Sequence, residues 1–164
     1  MNLDFIKTEK KKAKPRYIKH DSIKELERMH YAAKTAKHPN VPYLPKTIFR
    51  DDTANGLTKC ITAWLKLNGH FGARVNVTGN YNAKLGKYVR SGSKKGMADI
   101  TSVIHGKHVS IEVKTGRDRM REEQWKVKSE IEQAGGVYLI ASTFDNFLEQ
   151  IKNLENNKIL QIWD

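Results

Sequence analysis

The sequence predicts an α/β fold in which helices flank a mixed central β-sheet. Three observations support this class. Apolar residues recur at helical spacing in three segments after residue 52, two strand patterns follow one another across a tight turn, and residues 137–141 form a short apolar run typical of a buried strand. In order, these segments give helix, strand, strand, strand, helix, strand, helix.

The first 45 residues are predicted to precede the main domain. Residues 7–19 are rich in lysine and almost lack apolar periodicity, which predicts a mobile basic arm. A helix is expected from Ser22 to about Lys37, with Ser22 as N-cap and Glu25 completing a capping box. The prolines between positions 39 and 45 then favour an extended linker, so a domain of residues 46–164 should begin near Lys46.

The main domain should open with a helix over 53–68, where Leu57, Ile61, Trp64 and Leu65 recur at helical spacing and Asn68-Gly69 supplies a stop. A strand is expected over 71–77. The glycine-rich and basic stretch from 79 to 95 predicts a flexible, cationic loop.

Residues 97–104 and 108–114 read as two strands joined by the turn His105-Gly106-Lys107, which predicts an antiparallel hairpin. That turn would pair Ile104 roughly with His108 and place Asp99 within one residue of Glu112. A helix over 119–134, ended by Gly135-Gly136, the strand 137–141 and a last helix from 143 to about 153 complete the domain.

Charge points to a polyanionic partner. Thirty Lys and Arg against eighteen Asp and Glu give a formal net charge of +12, and nucleic acid is the first candidate for such an excess. A basic protein without such a partner is the alternative.

Composition narrows the setting. No apolar run approaches the roughly 18 residues of a membrane span, and the start lacks a secretion signal. We therefore expect a cytoplasmic protein, or one in the host cytoplasm if it is phage-encoded. Cys60, the only cysteine, excludes an internal disulfide and any cysteine-rich zinc site.

Asp99, Glu112 and Lys114 form the constellation best suited to chemistry. Side chains two apart in a strand share a face, so Glu112 and Lys114 are neighbours, while Ile111 and Val113 point into an apolar layer. The charged face should be either solvated or working. Two carboxylates beside a lysine suit phosphodiester hydrolysis, because hard oxygens bind Mg²⁺ or Mn²⁺ and the ammonium offsets negative charge. A surface ion pair is the alternative.

The run Gly96-Met97-Ala98-Asp99-Ile100, then Ile111-Glu112-Val113-Lys114, then Gln124, resembles the PD-(D/E)XK nuclease superfamily. It looks closest to the virus-type replication-repair (VRR) nuclease branch, near the Holliday-junction resolvases. The resemblance covers about residues 53–147 and implies a restriction-endonuclease-like fold.

By this resemblance Asp99, Glu112, Lys114 and Gln124 are the catalytic residues, and Asp99, Glu112 and the main-chain carbonyl of Val113 bind the metal. Lys114 would orient or help deprotonate the attacking water. The family's resolvases act as dimers, so a homodimer is implied as an option.

Two positions depart from the family pattern. Ala98 stands where a proline commonly precedes the acid, a structural difference. Many members also carry a metal-binding glutamate at the start of the first core helix, where this chain offers Asn55, preceded by Asp51 and Asp52. Asn55 could bind a metal through its amide oxygen, or Asp52 or Asn55 could simply cap the helix.

Helical spacing singles out Gln124 independently. It lies on an otherwise apolar stripe with Met120, Val127, Ile131 and Ala134. A buried amide needs a hydrogen-bond partner. The alternative is a glutamine at the edge of the stripe that reaches water.

Basic residues flank the predicted site on both sides and are candidates for binding nucleic acid through its phosphates. They are Lys84, Lys87, Arg90, Lys94 and Lys95 before Asp99, and Arg117, Arg119 and Arg121 after Glu112. Tyr81 and Tyr88 could stack on exposed bases, but packing against the protein is favoured.

The leading hypothesis is an endonuclease that hydrolyses DNA, with branched DNA as one candidate substrate, with structure or backbone recognition and a phage or mobile-element origin. RNA is not excluded. The first alternative is a DNA-binding protein that keeps the nuclease fold without catalysis. The second is a partner module of a larger replication or packaging machine.

Overall fold

The computed structural model describes residues 17–76, 80–89 and 92–157. These residues form four helices and six strands. In chain order the elements are α1 (Asp21–Lys37), α2 (Ala54–Leu67), β1 (Phe71–Arg74), β2 (Asn80–Asn82), β3 (Lys87–Val89), β4 (Ile100–Ile104), β5 (Lys107–Val113), α3 (Glu122–Gln133), β6 (Val137–Ala141) and α4 (Phe144–Asn156). Most of the predicted basic arm lies outside the described residues.

A four-stranded sheet with the order β1-β4-β5-β6 forms the centre. β1 and β5 both pair antiparallel with β4, whereas β6 runs parallel to β5. Parallel neighbours need a crossover connection, and α3 is that crossover. The α/β class and the mixed sheet are therefore confirmed. In the described ranges, no helix combines the length and apolar character needed to cross a membrane.

One face of the sheet packs on the main hydrophobic core. Ile100, Ile104, Ile111 and Val113 point into it, and α2 and α4 cover it. Helix α1 also contributes the fully buried Ile23 and Leu26 to this cluster. The helices α1 and α2, which lie on opposite sides of the predicted boundary near Lys46, thus share one hydrophobic core.

The β4–β5 turn is shorter than the sequence suggested. His105 and Gly106 both have positive φ, 48° and 74°, which is the geometry of a two-residue type I′ turn. Lys107 therefore belongs to β5 and pairs with Ile104, and Ile100 pairs with Ile111. The predicted pairing of Ile104 with His108 is wrong by one residue.

Several predicted element bounds also need correction. α1 begins at Asp21 after His20, which makes no side-chain cap, so the predicted capping box from Ser22 to Glu25 does not form. Glu25 instead forms an ion pair with Arg28. Thr53 caps α2 by accepting from the Gly56 N–H, which replaces the caps predicted at Asp52 and Asn55.

The remaining differences lie around the sheet. β1 ends at Arg74, earlier than predicted, and α3 begins at Glu122 instead of residue 119. The segment predicted to be a flexible loop contains the β2–β3 hairpin, which forms a separate two-stranded sheet. Tyr81 and the three residues of β3 are exposed, so this hairpin lacks the alternation of buried apolar and exposed polar residues that reveals strands in a sequence.

Candidate functional site

Asp99 is held at the entrance of β4 by backbone contacts on both sides. Its carbonyl oxygen accepts a hydrogen bond from the Val75 N–H at 2.8 Å. Its side-chain Oδ2 accepts one from the Val113 N–H at 2.9 Å. Continuing the β4–β5 register by one residue from Ile100 and Ile111 places Asp99 opposite Glu112. The structure therefore brings these two acids together.

Gly96 allows the chain leading to Asp99 to lie on the start of α3. It has a φ of +84°, and a Cβ there would collide with the backbone carbonyl of Glu123. Only glycine fits such an approach without displacement. The glycine thus sets the distance between the Asp99 segment and the helix that carries Gln124.

Glu112 lies at the centre of the cluster and is only 2% exposed. Its Oε1 is 3.0 Å from Lys114 Nζ and accepts a hydrogen bond from Gln124 Nε2 at 2.5 Å. Its Oε2 accepts from the Tyr138 hydroxyl at the long distance of 3.4 Å. The carboxylate is therefore surrounded by three donors.

The face that carries Ser110, Glu112 and Lys114 is buried, so of the two alternatives for this face, solvated or working, the solvated one is wrong. α3 covers it with a second, smaller apolar cluster. That cluster consists of Ala98, Val127 and Tyr138, with Met97, Met120, Ile131 and Ile140 packed against it. A surface ion pair is thus excluded for Glu112 and Lys114.

The pKa of Glu112 is raised above its usual value. Burial is the main cause, and the negative charge of Asp99 adds to it. Lys114 and Gln124 act in the opposite direction by stabilising the carboxylate. The two acids therefore repel each other across the strands, and a bound cation would relieve that repulsion.

Lys114 is 9% exposed and connects the buried acid to the surface. Besides contacting Glu112, its ammonium lies 3.3 Å from Oδ2 of Asp118, which is half-exposed. Its backbone N–H donates to the Ala141 carbonyl at 2.9 Å and so extends the pairing of β5 with β6. This backbone hydrogen bond thus fixes the position of the Lys114 Cα, from which a long and otherwise flexible side chain extends.

Gln124 divides its amide between two tasks. Its Oε1 accepts a hydrogen bond from the Arg121 backbone N–H at 3.0 Å, which satisfies the N-cap N–H at the start of α3. Its Nε2 is thereby turned toward Glu112. A carboxylate only accepts and a backbone N–H only donates, so an amide is the group that satisfies both neighbours. Glu112 is thus the hydrogen-bond partner that was expected for an amide on an apolar stripe.

Two residues of the cluster were not predicted. Tyr138 carries the one hydroxyl in the apolar run 137–141, and burial together with the nearby Glu112 charge raises its pKa. Asp118 follows Lys114 after four residues. An aromatic hydroxyl in a buried strand was the available signal for the first, whereas nothing in the loop sequence singled out the second.

Asn55, the optional further metal ligand, is engaged elsewhere. Its Oδ1 accepts a hydrogen bond from Arg74 Nη2 at 2.9 Å. The preceding acids are also committed, since Asp51 accepts the Phe144 N–H at the start of α4 and Asp52 pairs with Arg50. Among the described residues, no group of three or more His, Cys, Asp or Glu side chains could hold a metal ion.

The predicted nucleic-acid contacts fall into three groups. Arg117, Arg119 and Arg121 are exposed beside the cluster, and Lys84 and Lys87 are exposed on the β2–β3 hairpin. Lys94 and Lys95 form ion pairs with Glu130 and Glu123 of α3, so their charge is partly offset within the protein. Arg90 lies outside the described residues.

Tyr81 and Tyr88 face each other across the hairpin. Their ring centroids are 5.4 Å apart in an edge-to-face arrangement, yet both rings remain exposed, at 58% and 77%. They pack on one another and are not anchored in the core. The prediction that these two tyrosines pack against the protein therefore holds only for their contact with each other.

Comparisons of the chain with protein-family models, with curated proteins and with solved structures found no match. The site is accordingly defined by its own geometry: two acids, a lysine and a glutamine on adjacent strands and the crossover helix.

Proposed function

We propose that this protein is a metal-dependent nuclease of the PD-(D/E)XK type, with a restriction-endonuclease-like core, that hydrolyses DNA phosphodiester bonds. The observation that carries the proposal is the buried pair of Glu112 and Lys114, with Gln124 hydrogen-bonded to Glu112 and Asp99 beside it. Asp99 directly precedes β4, Glu112 lies on β5, Lys114 directly follows β5 and Gln124 lies on α3. These are the four residues that the sequence resemblance implies are catalytic.

The energetics of the cluster support a functional role over a structural one. A buried ion pair contributes little net stability, because desolvation of both charges offsets their attraction. Glu112 is moreover disfavoured as a carboxylate by burial and by Asp99. A purely structural position would be filled at lower cost by apolar residues such as those on the opposite face.

In this proposal one Mg²⁺ or Mn²⁺ ion binds beside Glu112. Asp99, Glu112 and the main-chain carbonyl of Val113 would supply hard oxygen ligands, and the repulsion between the two carboxylates favours binding of a cation. When bound, the ion supplies Lewis-acid activation and charge stabilisation at the phosphate. We propose a single ion, because Asn55 is neutral and its oxygen is bonded to Arg74.

The remaining residues would act on water and phosphate. Lys114 holds its ammonium next to Glu112 and at the edge of the surface, where it can orient water and offset negative charge on the phosphate. Gln124 fixes the orientation of the Glu112 carboxylate, and Tyr138 limits its movement from the other side. Gln124 is thus a positioning residue in this proposal.

DNA is the proposed partner because of the net charge of +12 and the exposed arginines 117, 119 and 121 beside the cluster. Such contacts bind phosphates irrespective of sequence and weaken with salt. Recognition would therefore depend on the backbone or the shape of the DNA.

The test is cleavage of linear, supercoiled, single-stranded and four-way-junction DNA, and of RNA, in Mg²⁺, Mn²⁺ or EDTA. Wild type is compared with Glu112→Gln and with Glu149→Gln, a matched change at an exposed glutamate of α4. We expect metal-dependent cleavage that only Glu112→Gln abolishes. Salt-sensitive binding of DNA by all three proteins without any cleavage would instead identify a non-catalytic DNA-binding protein.

A further inference from the structure

A cavity of about 410 Å³ opens next to Lys114. Its wall is partly apolar, from Met120, Trp125 and Ile140, and partly polar, from Asp118, Arg119 and Ser142. Ligand pockets typically have volumes of roughly 300–1,000 Å³, so this cavity suits a single flat group and is too small for a duplex.

Trp125 is the unusual residue of this cavity. It follows Gln124 in the first turn of α3 and is 51% exposed. A large aromatic ring left half in water forgoes much of the free energy that burial would provide. Exposed rings beside cationic groups are the platforms on which nucleobases stack in proteins that bind single strands. Arg119 supplies such a cation on the same wall.

We propose that this cavity binds an unpaired nucleobase of the substrate, stacked on Trp125, next to the phosphate that is cleaved. The inference rests on the proposed nuclease function and names its substrate class: DNA that has an unpaired nucleotide at the cleavage point. Lys114 lines the cavity and also contacts Glu112, so a base in the cavity belongs to a nucleotide adjacent to the catalytic cluster.

The chemistry excludes a base that is still inside a regular duplex. Both faces of such a base are covered by its neighbours, and it must leave the stack to present a face to a protein ring. Stacking is tolerant of base identity, because every base has a π-face. The cavity therefore selects for DNA structure and not for sequence.

The experiment measures binding in EDTA, which prevents metal-dependent cleavage, to duplex DNA carrying one unpaired 2-aminopurine. An otherwise identical duplex has an abasic residue at that position, and a third is fully paired. The proteins are wild type, Trp125→Ala, Trp125→Phe and Tyr43→Ala. Tyr43 is an exposed aromatic residue outside this cavity and serves as the matched control.

We expect wild type to quench 2-aminopurine fluorescence and to bind that DNA more tightly than the abasic or paired DNA. Trp125→Ala should weaken this binding at least about tenfold and abolish the quenching. Trp125→Phe should retain most of both, and Tyr43→Ala should match wild type. Circular dichroism of each variant verifies the fold. We expect the fold to tolerate the substitutions at Trp125, because this side chain is half-exposed.

Two results would overturn the inference while leaving the nuclease proposal intact. The first is that wild type binds the DNA and Trp125→Ala binds it with the same affinity. The second is that Trp125→Ala loses the same factor of affinity for the 2-aminopurine, abasic and fully paired DNAs. Failure of wild type to bind any of these DNAs, together with an absence of cleavage, would overturn both proposals.

Discussion

The two faces of the central sheet are both buried, but they are filled with opposite chemistry. On one face Ile111 and Val113 of β5 join Ile100 and Ile104 in the main apolar core. On the other face the same strand presents Glu112, with Lys114 directly after its end. Alternate residues of the seven-residue strand β5 thus lie in two different environments, one apolar and one charged. Both environments exclude water.

The difference separates what stabilises the fold from what serves the site. Apolar burial contributes roughly 25 cal/mol per Å², so the first face is the source of stability. On the second face desolvation opposes the charged groups. The small cluster around Val127 and Tyr138 excludes water from that face, which strengthens every charge interaction there.

The largest expected contrast comes from adjacent residues of β5. Glu112→Gln keeps the size of the side chain but removes the negative charge, and cleavage should fall to the level seen without protein. Ile111→Ala should leave cleavage per folded molecule unchanged and lower the free energy of unfolding by about 2–5 kcal/mol. Urea unfolding and cleavage assays on both variants test this. Equal loss of activity in both variants at matched folded fractions would contradict the assignment of stability to one face and activity to the other.

Lys114→Met should reduce cleavage by roughly 10²–10⁴-fold, because the ammonium that orients water is lost. It should also destabilise the protein, since Glu112 loses its ion-pair partner inside the structure. The double variant Glu112→Gln with Lys114→Met should recover much of that stability but no activity. Lys152→Met, an exposed lysine of α4, is the matched control. Additive stability changes in this cycle would contradict the coupling of the pair.

Substitutions of Gln124 test whether cleavage depends on the orientation of the Glu112 carboxylate as well as on its charge. Gln124→Glu can still accept the Arg121 N–H and cap α3, but it no longer donates to Glu112 and adds a third negative charge. Cleavage should fall by roughly 10–100-fold. Gln124→Ala should also lose about 1 kcal/mol of stability through the missing cap. Activity that survives Gln124→Glu unchanged would confine this residue to capping.

The contrast between the faces also explains what the sequence could and could not predict. The helices α2 and α4 were predictable because their core side chains repeat with the helical period, and the strand β6 was predictable because it is a short, wholly apolar run. Gln124 was predictable for the same reason, as a polar exception on an apolar stripe. In both cases the signal lies within one segment.

The missed features depend on contacts between segments or on backbone geometry. The type I′ turn requires φ > 0 at His105, which its residue type allows but does not dictate. Burial of the Glu112 face requires α3 to lie across it, and a strand pattern does not reveal what covers its polar side. The pairing of Asn55 with Arg74 likewise joins residues whose sequence spacing carries no signal.

The smallest expected effect is the pH dependence of stability, measured without metal. The pKa of Glu112 is raised above 4.5, so between 4.5 and the raised value the folded protein holds a proton that the unfolded chain has lost. The free energy of unfolding should therefore fall as pH rises through this window, and the loss is complete above the raised pKa.

Glu112→Gln removes this dependence, because an amide does not titrate. The difference in unfolding free energy, wild type minus Glu112→Gln, should decline as pH rises from 4.5 through the raised pKa of Glu112, whereas the difference for Glu149→Gln serves as the control at an exposed position. Urea unfolding in EDTA measures both. A difference that stays constant or grows with pH would mean that the donors around Glu112 outweigh its burial, and the second face would then stabilise the fold as the first one does.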